Sequence, residues 1–166
     1  GTSGLHLALI AAGIKAGDEV VTTPFSFIAS ANAILYVGAK PVFCDIDPVT
    51  YNIDPKLVEK KITKRTKALL VVHIFGQASD MAPLLKIARK HNLKIIEDAC
   101  ESIAAKYRGK MAGTFGESGV YAFYPNKQMT TGEGGMVVTN KKAVYYLCCS
   151  LRNQGRPENS GWLDHL

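Results

Sequence analysis

Apolar positions in this chain follow two rhythms that alternate along its length. Leu5, Ala8, Leu9 and Ala12 recur at three- and four-residue intervals behind Thr2-Ser3, hydroxyl residues suited to capping a helix, and Gly13 is placed to end it. Glu19-Val20-Val21-Thr22-Thr23 is a β-branched run stopped by Pro24, which predicts a strand. Phe27 to Tyr36 is apolar and alanine-rich, a helix closed by Gly38, and Pro41 to Ile46 is extended again. Asp54-Pro55 opens the next helix, with proline at the first helical position where its missing N–H is harmless, and the pattern runs through Leu57, Val58 and Ile62. Lys67 to Phe75 reads as a buried strand. Asp80 is placed to cap a helix with Pro83 in its first turn, Leu84, Ala88 and His91 on one face, and Asn92 at the left-handed C-terminal position. Lys94 to Asp98 is a further strand, nearly all apolar until it ends in two acids.

Helices alternating with near-continuous apolar strands predict an α/β fold with a mostly parallel central sheet and helices on both faces. Ligands of such sheets gather beyond the carboxyl ends of the strands. After Asp98 the pieces shorten: Gly119 to Phe123 and Gly135 to Thr139 are extended, joined by glycine-rich turns, and a last helix begins near Lys141. No linker interrupts residues 1–166, which a single core can serve. The chain begins at Gly1 with no methionine, in what reads as the middle of something longer, and its last residues, GWLDHL, carry no capping signal.

Composition narrows the function classes. With 47% hydrophobic and 20% charged residues and no low-complexity tract, the chain has the makeup of an ordinary globular domain. Lysines punctuate the apolar segments, so none approaches the roughly 20 residues a membrane-spanning helix needs. The net charge of +6 is dispersed: Lys56, Lys60, Lys61, Lys64 and Lys67 stand beside Asp54 and Glu59, the pattern of a solvated face rather than a nucleic-acid surface. Cys44, Cys100, Cys148 and Cys149 include no C-x-x-C pair and no spacing that gathers metal ligands, which fits a reduced, cytoplasmic setting and no metal site.

Three places could carry chemistry. Asp98 ends a buried strand, where a carboxylate must be solvated, paired or hydrogen-bonded; it could cap a helix, join an ion pair or hold a protonated ring nitrogen. Lys127 lies between Tyr124-Pro125-Asn126 and Thr130-Thr131-Gly132-Glu133-Gly134-Gly135. Aromatic walls that limit hydration favour a neutral, nucleophilic amine suited to Schiff-base formation, although an ordinary surface lysine in a turn has the same residue type. Gly1-Thr2-Ser3-Gly4 offers backbone N–H groups, two hydroxyls and a helix N-terminus, a combination that binds phosphate and also makes a good cap.

Taken together, GTSGLHLAL, GDEVVTTPFSFIASANAI, GAKPVFCDIDPVTYNIDP, RTKALLVVHIFGQASDM, IIEDACES, YAFYPNKQMTTGEGGMVVTN and RNQGR resemble the DegT/DnrJ/EryC1/StrS family along almost the whole chain. These are pyridoxal-phosphate-dependent aminotransferases acting on nucleotide-linked keto sugars. The resemblance implies the large domain of the aspartate-aminotransferase-like (type I) fold, with the extreme N-terminus and a smaller C-terminal domain lying outside residues 1–166. It makes Lys127 the Schiff-base lysine and proton carrier, and Asp98 the partner of the pyridinium nitrogen. Thr2 and Ser3 become part of the phosphate cradle, Phe27 the stacking partner of the ring, and Glu101 a neighbour of the cofactor. It further implies an amino acid donor, L-glutamate in much of the family, and a homodimer sharing its active sites. Lysine rather than histidine at position 127 favours transamination over sugar dehydration.

Two positions depart from the family pattern. Ala122 stands where many relatives carry a phosphate-contacting serine, which places more weight on Thr2 and Ser3. Glu101 stands where glutamine or histidine is common; an ionised carboxylate beside the cofactor's phenolate oxygen would repel it, so Glu101 is expected to be protonated or turned toward a cation. A non-catalytic regulatory or assembly protein on the same fold is the alternative. A generic nucleotide-binding module lacks support, since neither G-x-G-x-x-G after the first strand nor G-x-x-x-x-G-K-[ST] occurs.

Overall fold

In the computed structural model, which describes residues 1–156, the chain alternates helix and strand as its apolar rhythm predicts. The GWLDHL segment lies outside the described residues. The helices are α1 (Thr2–Ala11), α2 (Ala29–Tyr36), α3 (Pro55–Val58), α4 (Met81–Lys90) and α5 (Lys142–Arg152). The strands are β1 (Glu19–Thr22), β2 (Lys40–Phe43), β3 (Thr66–Val72), β4 (Lys94–Asp98), β5 (Lys106–Tyr107), β6 (Lys110–Met111), β7 (Ser118–Ala122) and β8 (Gly135–Val138). Six of them form one sheet in the order β2-β1-β3-β4-β7-β8, while β5 and β6 pair as a separate small hairpin. Within the six-stranded sheet the pairings from β2 across to β7 are parallel, and β8 runs antiparallel to β7.

Successive side chains of a strand point to opposite faces, and here both faces are covered by core. Val20, Leu70, Ile96 and Val120 pack on one side with Leu5 and Leu9 of α1 and Ile34 of α2. Val21, Leu69, Val71 and Ile95 pack on the other with Val58 of α3 and Met81 and Leu84 of α4. This two-sided burial is why the strands read as continuous apolar runs rather than alternating ones. The register places Asp98 opposite Val72 and Val120, so the ends of β3, β4 and β7 open at one level.

Close backbone approach brings α1 to that level. A Cβ on Gly4 would lie 2.7 Å from Cγ1 of Val120, and one on Gly1 would lie 2.9 Å from Sγ of Cys100 and 3.0 Å from Cβ of Ala122. Small residues at both positions let the first turn of the helix sit directly over the ends of β4 and β7.

Some expectations change in detail. Thr2 and Ser3 are within the first turn of α1 rather than capping it; Gly1 is the N-cap and no side chain caps the helix. α3 stops at Val58, its one buried residue, and tightens into a 3₁₀ turn at Glu59–Lys61, leaving Ile62 extended; so short an apolar stripe cannot hold further turns. β3 ends at Val72 although the apolar run continues to Phe75, because Asn52 Oδ1 accepts the Ile74 N–H and Phe75 enters the left-handed region at φ 53°. The Asp80 carboxylate, at the N-cap of α4, accepts from the Tyr107 hydroxyl instead of a helix N–H. Asn92 adopts its expected left-handed conformation at φ 52°. Among the described residues no helix is long and apolar enough to cross a membrane, and all four cysteines are free thiols.

Candidate active site

A cavity of about 350 Å³ opens at the carboxyl ends of the parallel strands, lined by Thr2, Ser26, Phe27, Ser30, Asp98, Glu101, Ala122 and Lys127 among others. The two acids that end β4 divide between the faces of the sheet. Glu97, fully buried, turns away from the cavity and accepts four hydrogen bonds, from His73 Nε2 and the backbone N–H groups of Gly113, Phe115 and Gly116. Asp98 borders the cavity at 6% exposure. Its Oδ2 accepts from the Ser30 hydroxyl at 2.7 Å and its Oδ1 from the Cys100 N–H at 3.2 Å. Among the described residues it forms no ion pair, so a buried carboxylate faces the cavity with only neutral donors to support it.

Lys127 comes from the turn that follows β7. That turn is closed by backbone hydrogen bonds from Phe123 to Gly134, Thr131 to Phe123 and Lys127 to Tyr124, so the lysine is delivered by a braced loop. Tyr124 lines the cavity as the sequence implied, but the direct partner of the amine is a carboxylate: Nζ lies 2.8 Å from Oε1 of Glu101. Of the two states expected for Glu101, the structure has it turned toward a cation, and that cation is Lys127. Oε2 of Glu101 also accepts the Phe75 N–H at 3.3 Å, and its backbone carbonyl accepts from the Gln128 side chain. Glu101 thereby ties together the turns after β3, β4 and β7.

The remaining expected residues fall less tightly together. Thr2 lines the cavity at the start of α1, but Ser3 does not; it lines an adjoining groove with Gly134, Gly135 and Arg152, and only Gly1, Thr2 and Glu133 border both. Phe27 borders the cavity and is 73% exposed, an apolar ring available to a ligand face. Burial first, then the Asp98 charge, pushes the thiol of Cys100, also in the lining, above its usual range, which disfavours the thiolate. Sequence reasoning missed Ser26 and Ser30. Ser26 lies in the bend before α2 and Ser30 in its first turn, and their four-residue spacing carries no chemical signature of its own.

The donor set suits a flat, cationic heterocycle bearing an anionic tail and a carbonyl. Asp98 supplies a buried negative charge lacking a counter-charge, Lys127 an amine in the same cavity, Phe27 a ring face, and the start of α1 a set of N–H groups without intrahelical acceptors.

Comparison with known proteins identifies the family. Residues 1–165 match the DegT/DnrJ/EryC1/StrS aminotransferase family, and the chain belongs to it. GDP-perosamine synthase of Caulobacter vibrioides is 50% identical over 159 residues, covering 96% of this chain and 43% of that protein. A pleiotropic regulatory protein of Geobacillus stearothermophilus is 48% identical over 156 residues, 93% of this chain and 42% of that one. The crystal structure of NtdA from Bacillus subtilis with bound cofactor PMP superimposes with a TM-score of 0.89 at 36% identity, covering 96% of this chain and 36% of that one. The chain thus spans well under half the length of these relatives.

Proposed function

We propose that this member of the DegT/DnrJ/EryC1/StrS family forms the cofactor-binding large domain of a pyridoxal 5′-phosphate-dependent aminotransferase that acts on a nucleotide-linked keto sugar, with an amino acid, L-glutamate, as donor. The observation that carries this reading is the meeting in one cavity of Asp98, a buried carboxylate without a cationic partner, and the Lys127 amine. A nucleotide-linked sugar as substrate is supported by the resemblance to GDP-perosamine synthase. A cytoplasmic homodimer completes the proposal.

When bound, the cofactor supplies an aldehyde that condenses with amines and a cationic ring that accepts electron density. Asp98 would hold the proton on the ring nitrogen, and Ser30 and the Cys100 N–H hold Asp98 in place. The Thr2 hydroxyl and the free N–H groups of the first α1 turn would receive the phosphate. Phe27 would cover one ring face and limit the approach of water to it. Lys127 would hold the cofactor through its aldehyde and, as a free amine, would carry the proton at the donor's Cα. Glu101 must release Lys127 for either task.

Full-length protein mixed with pyridoxal phosphate should develop a visible absorbance band that borohydride removes, with the added mass on Lys127. In a separate, unreduced sample L-glutamate should bleach the band, and a nucleotide-linked keto sugar should restore it. The name of the Geobacillus relative favours a second reading, regulation on the same fold. A stable band with no response to any amino donor would support that reading over transamination. No band at all would overturn transamination and leave regulation as the reading.

A further inference from the structure

Three polar side chains of the cavity lining are hydrogen-bonded in series. Ser26 Oγ lies 2.8 Å from Ser30 Oγ, and Ser30 Oγ lies 2.7 Å from Asp98 Oδ2. Ser30 is 2% exposed and Asp98 6%, while Ser26 is half-buried and borders the cavity. The chemistry of the last member fixes the direction of the whole line. An ionised carboxylate can only accept, so Ser30 spends its one proton on Asp98. Ser30 then has only lone pairs to offer Ser26, and Ser26 must donate to it. Its own proton used, Ser26 presents only lone pairs to the cavity.

We infer that Ser30 is a positioning residue for Asp98, and that Ser26 acts through it as the outer member of a polarised hydroxyl line. With the Cys100 N–H on Oδ1 and Ser30 on Oδ2, each carboxylate oxygen is held by one donor. The carboxylate cannot rotate without losing both, and its remaining lone pairs are presented to the cavity. A charge-assisted O–H···O⁻ bond in a buried place is among the stronger neutral-to-ion contacts, and its loss leaves Asp98 free to turn toward other donors. The inference rests on the proposed role of Asp98 and names residues that neither the sequence motifs nor the family likeness assign.

The test uses full-length protein and four variants: Ser30→Ala, Ser30→Thr, Ser26→Ala and Asp98→Asn. Borohydride trapping of Lys127 in the unaltered protein comes first; failure there sinks the cofactor reading and this inference with it. Given trapping, Ser30→Ala should weaken cofactor binding by about tenfold or more, the size of one hydrogen bond to a charged group, and should alter the absorbance of the bound cofactor. It should lower kcat more than it raises the KM for either substrate. Ser30→Thr keeps the hydroxyl and should restore affinity and spectrum to within about threefold of the unaltered protein, whereas a purely space-filling role would be disturbed by the added methyl. Ser26→Ala should show the same changes at smaller amplitude, and it remains informative should Ser30→Ala fail to fold. In an Asp98→Asn background, Ser30→Ala should add almost nothing, because residues acting through one another are not additive. Normal affinity and spectrum in both alanine variants, or full additivity with Asp98→Asn, would overturn the inference.

Discussion

Replacing Glu97 by glutamine is the sharpest test of how this fold holds its site. The carboxylate is fully buried, and all four of its partners are donors. Oε1 accepts from Phe115 N at 2.6 Å and Gly116 N at 2.7 Å, and Oε2 from Gly113 N at 2.7 Å and His73 Nε2 at 3.0 Å. His73 cannot reverse its role, because its Nδ1 already accepts the Ser79 N–H at 3.0 Å, which leaves the ring proton on Nε2. A glutamine amide has one oxygen. Whichever way it is turned, its NH₂ group faces two donors, either the buried Gly113 N–H and His73 Nε2–H or the part-buried N–H groups of Phe115 and Gly116, so two hydrogen bonds vanish and two N–H groups lose their acceptor at roughly 1–3 kcal/mol each, about 4 kcal/mol in total. The two surviving bonds also lose their charge assistance. With a urea slope of about 3 kcal/mol per molar, the unfolding midpoint of the full-length protein should fall by more than about 1 M. Hydrogen exchange should locate the damage, with faster exchange at Gly113, Phe115 and Gly116 than at the centre of β3. A midpoint shift below about 0.3 M, or unchanged protection at those amides, would refute the reasoning.

The neighbouring acid should behave in the opposite way. In Asp98→Asn the amide oxygen can keep the Cys100 N–H and the NH₂ can donate to Ser30, whose hydroxyl turns to accept, so stability should change by less than about 1 kcal/mol; kcat should nonetheless fall by about 100-fold or more, measured as the rate of band bleaching by donor. Gly4→Ala gains up to about 1 kcal/mol of helix propensity but drives a methyl to 2.7 Å from buried Val120, and overpacking of about 1–3 kcal/mol should win, lowering the melting temperature. The Lys90 ammonium and then His91 pull Glu59 from 4.5 to about 2. A depressed carboxylate contributes stability that is present above about pH 4.5 and is lost as pH falls toward 2. Glu59→Gln should therefore make the acid limb of the melting curve shallower between pH 5 and about 2 while leaving the neutral region little changed, the pair being exposed. An acid limb identical to that of the unaltered protein would show that the pair contributes nothing.

The architecture was legible in the residue pattern because it depends on short-range facts. Two-sided strands such as Leu69-Leu70-Val71 must be covered on both faces, and the helices between them supply the cover, so a parallel α/β sheet with its site at the strand ends followed from periodicity alone. The motifs around Lys127 and Asp98 were equally visible, because each is local in sequence. Position within those motifs was not. Glu97 and Asp98 are adjacent and chemically alike; only the register of β4 against β3 and β7 sends one to the backbone of residues 113–116 and the other to the cavity. The partner of Lys127 was likewise hidden, since Glu101 lies 26 residues away and reaches it only because the turns after β4 and β7 meet above the sheet. Ser30 is 68 residues from Asp98, and nothing in its own neighbourhood marks it. Sequence by itself determined which segments are strands and helices and which residues could react, as these follow from side-chain chemistry and repeat length. Which charges meet, which hydroxyl steadies which carboxylate and which acid is structural were decided only by packing, because hydrogen bonds and ion pairs act over about 3 Å and only the folded chain brings distant residues that close.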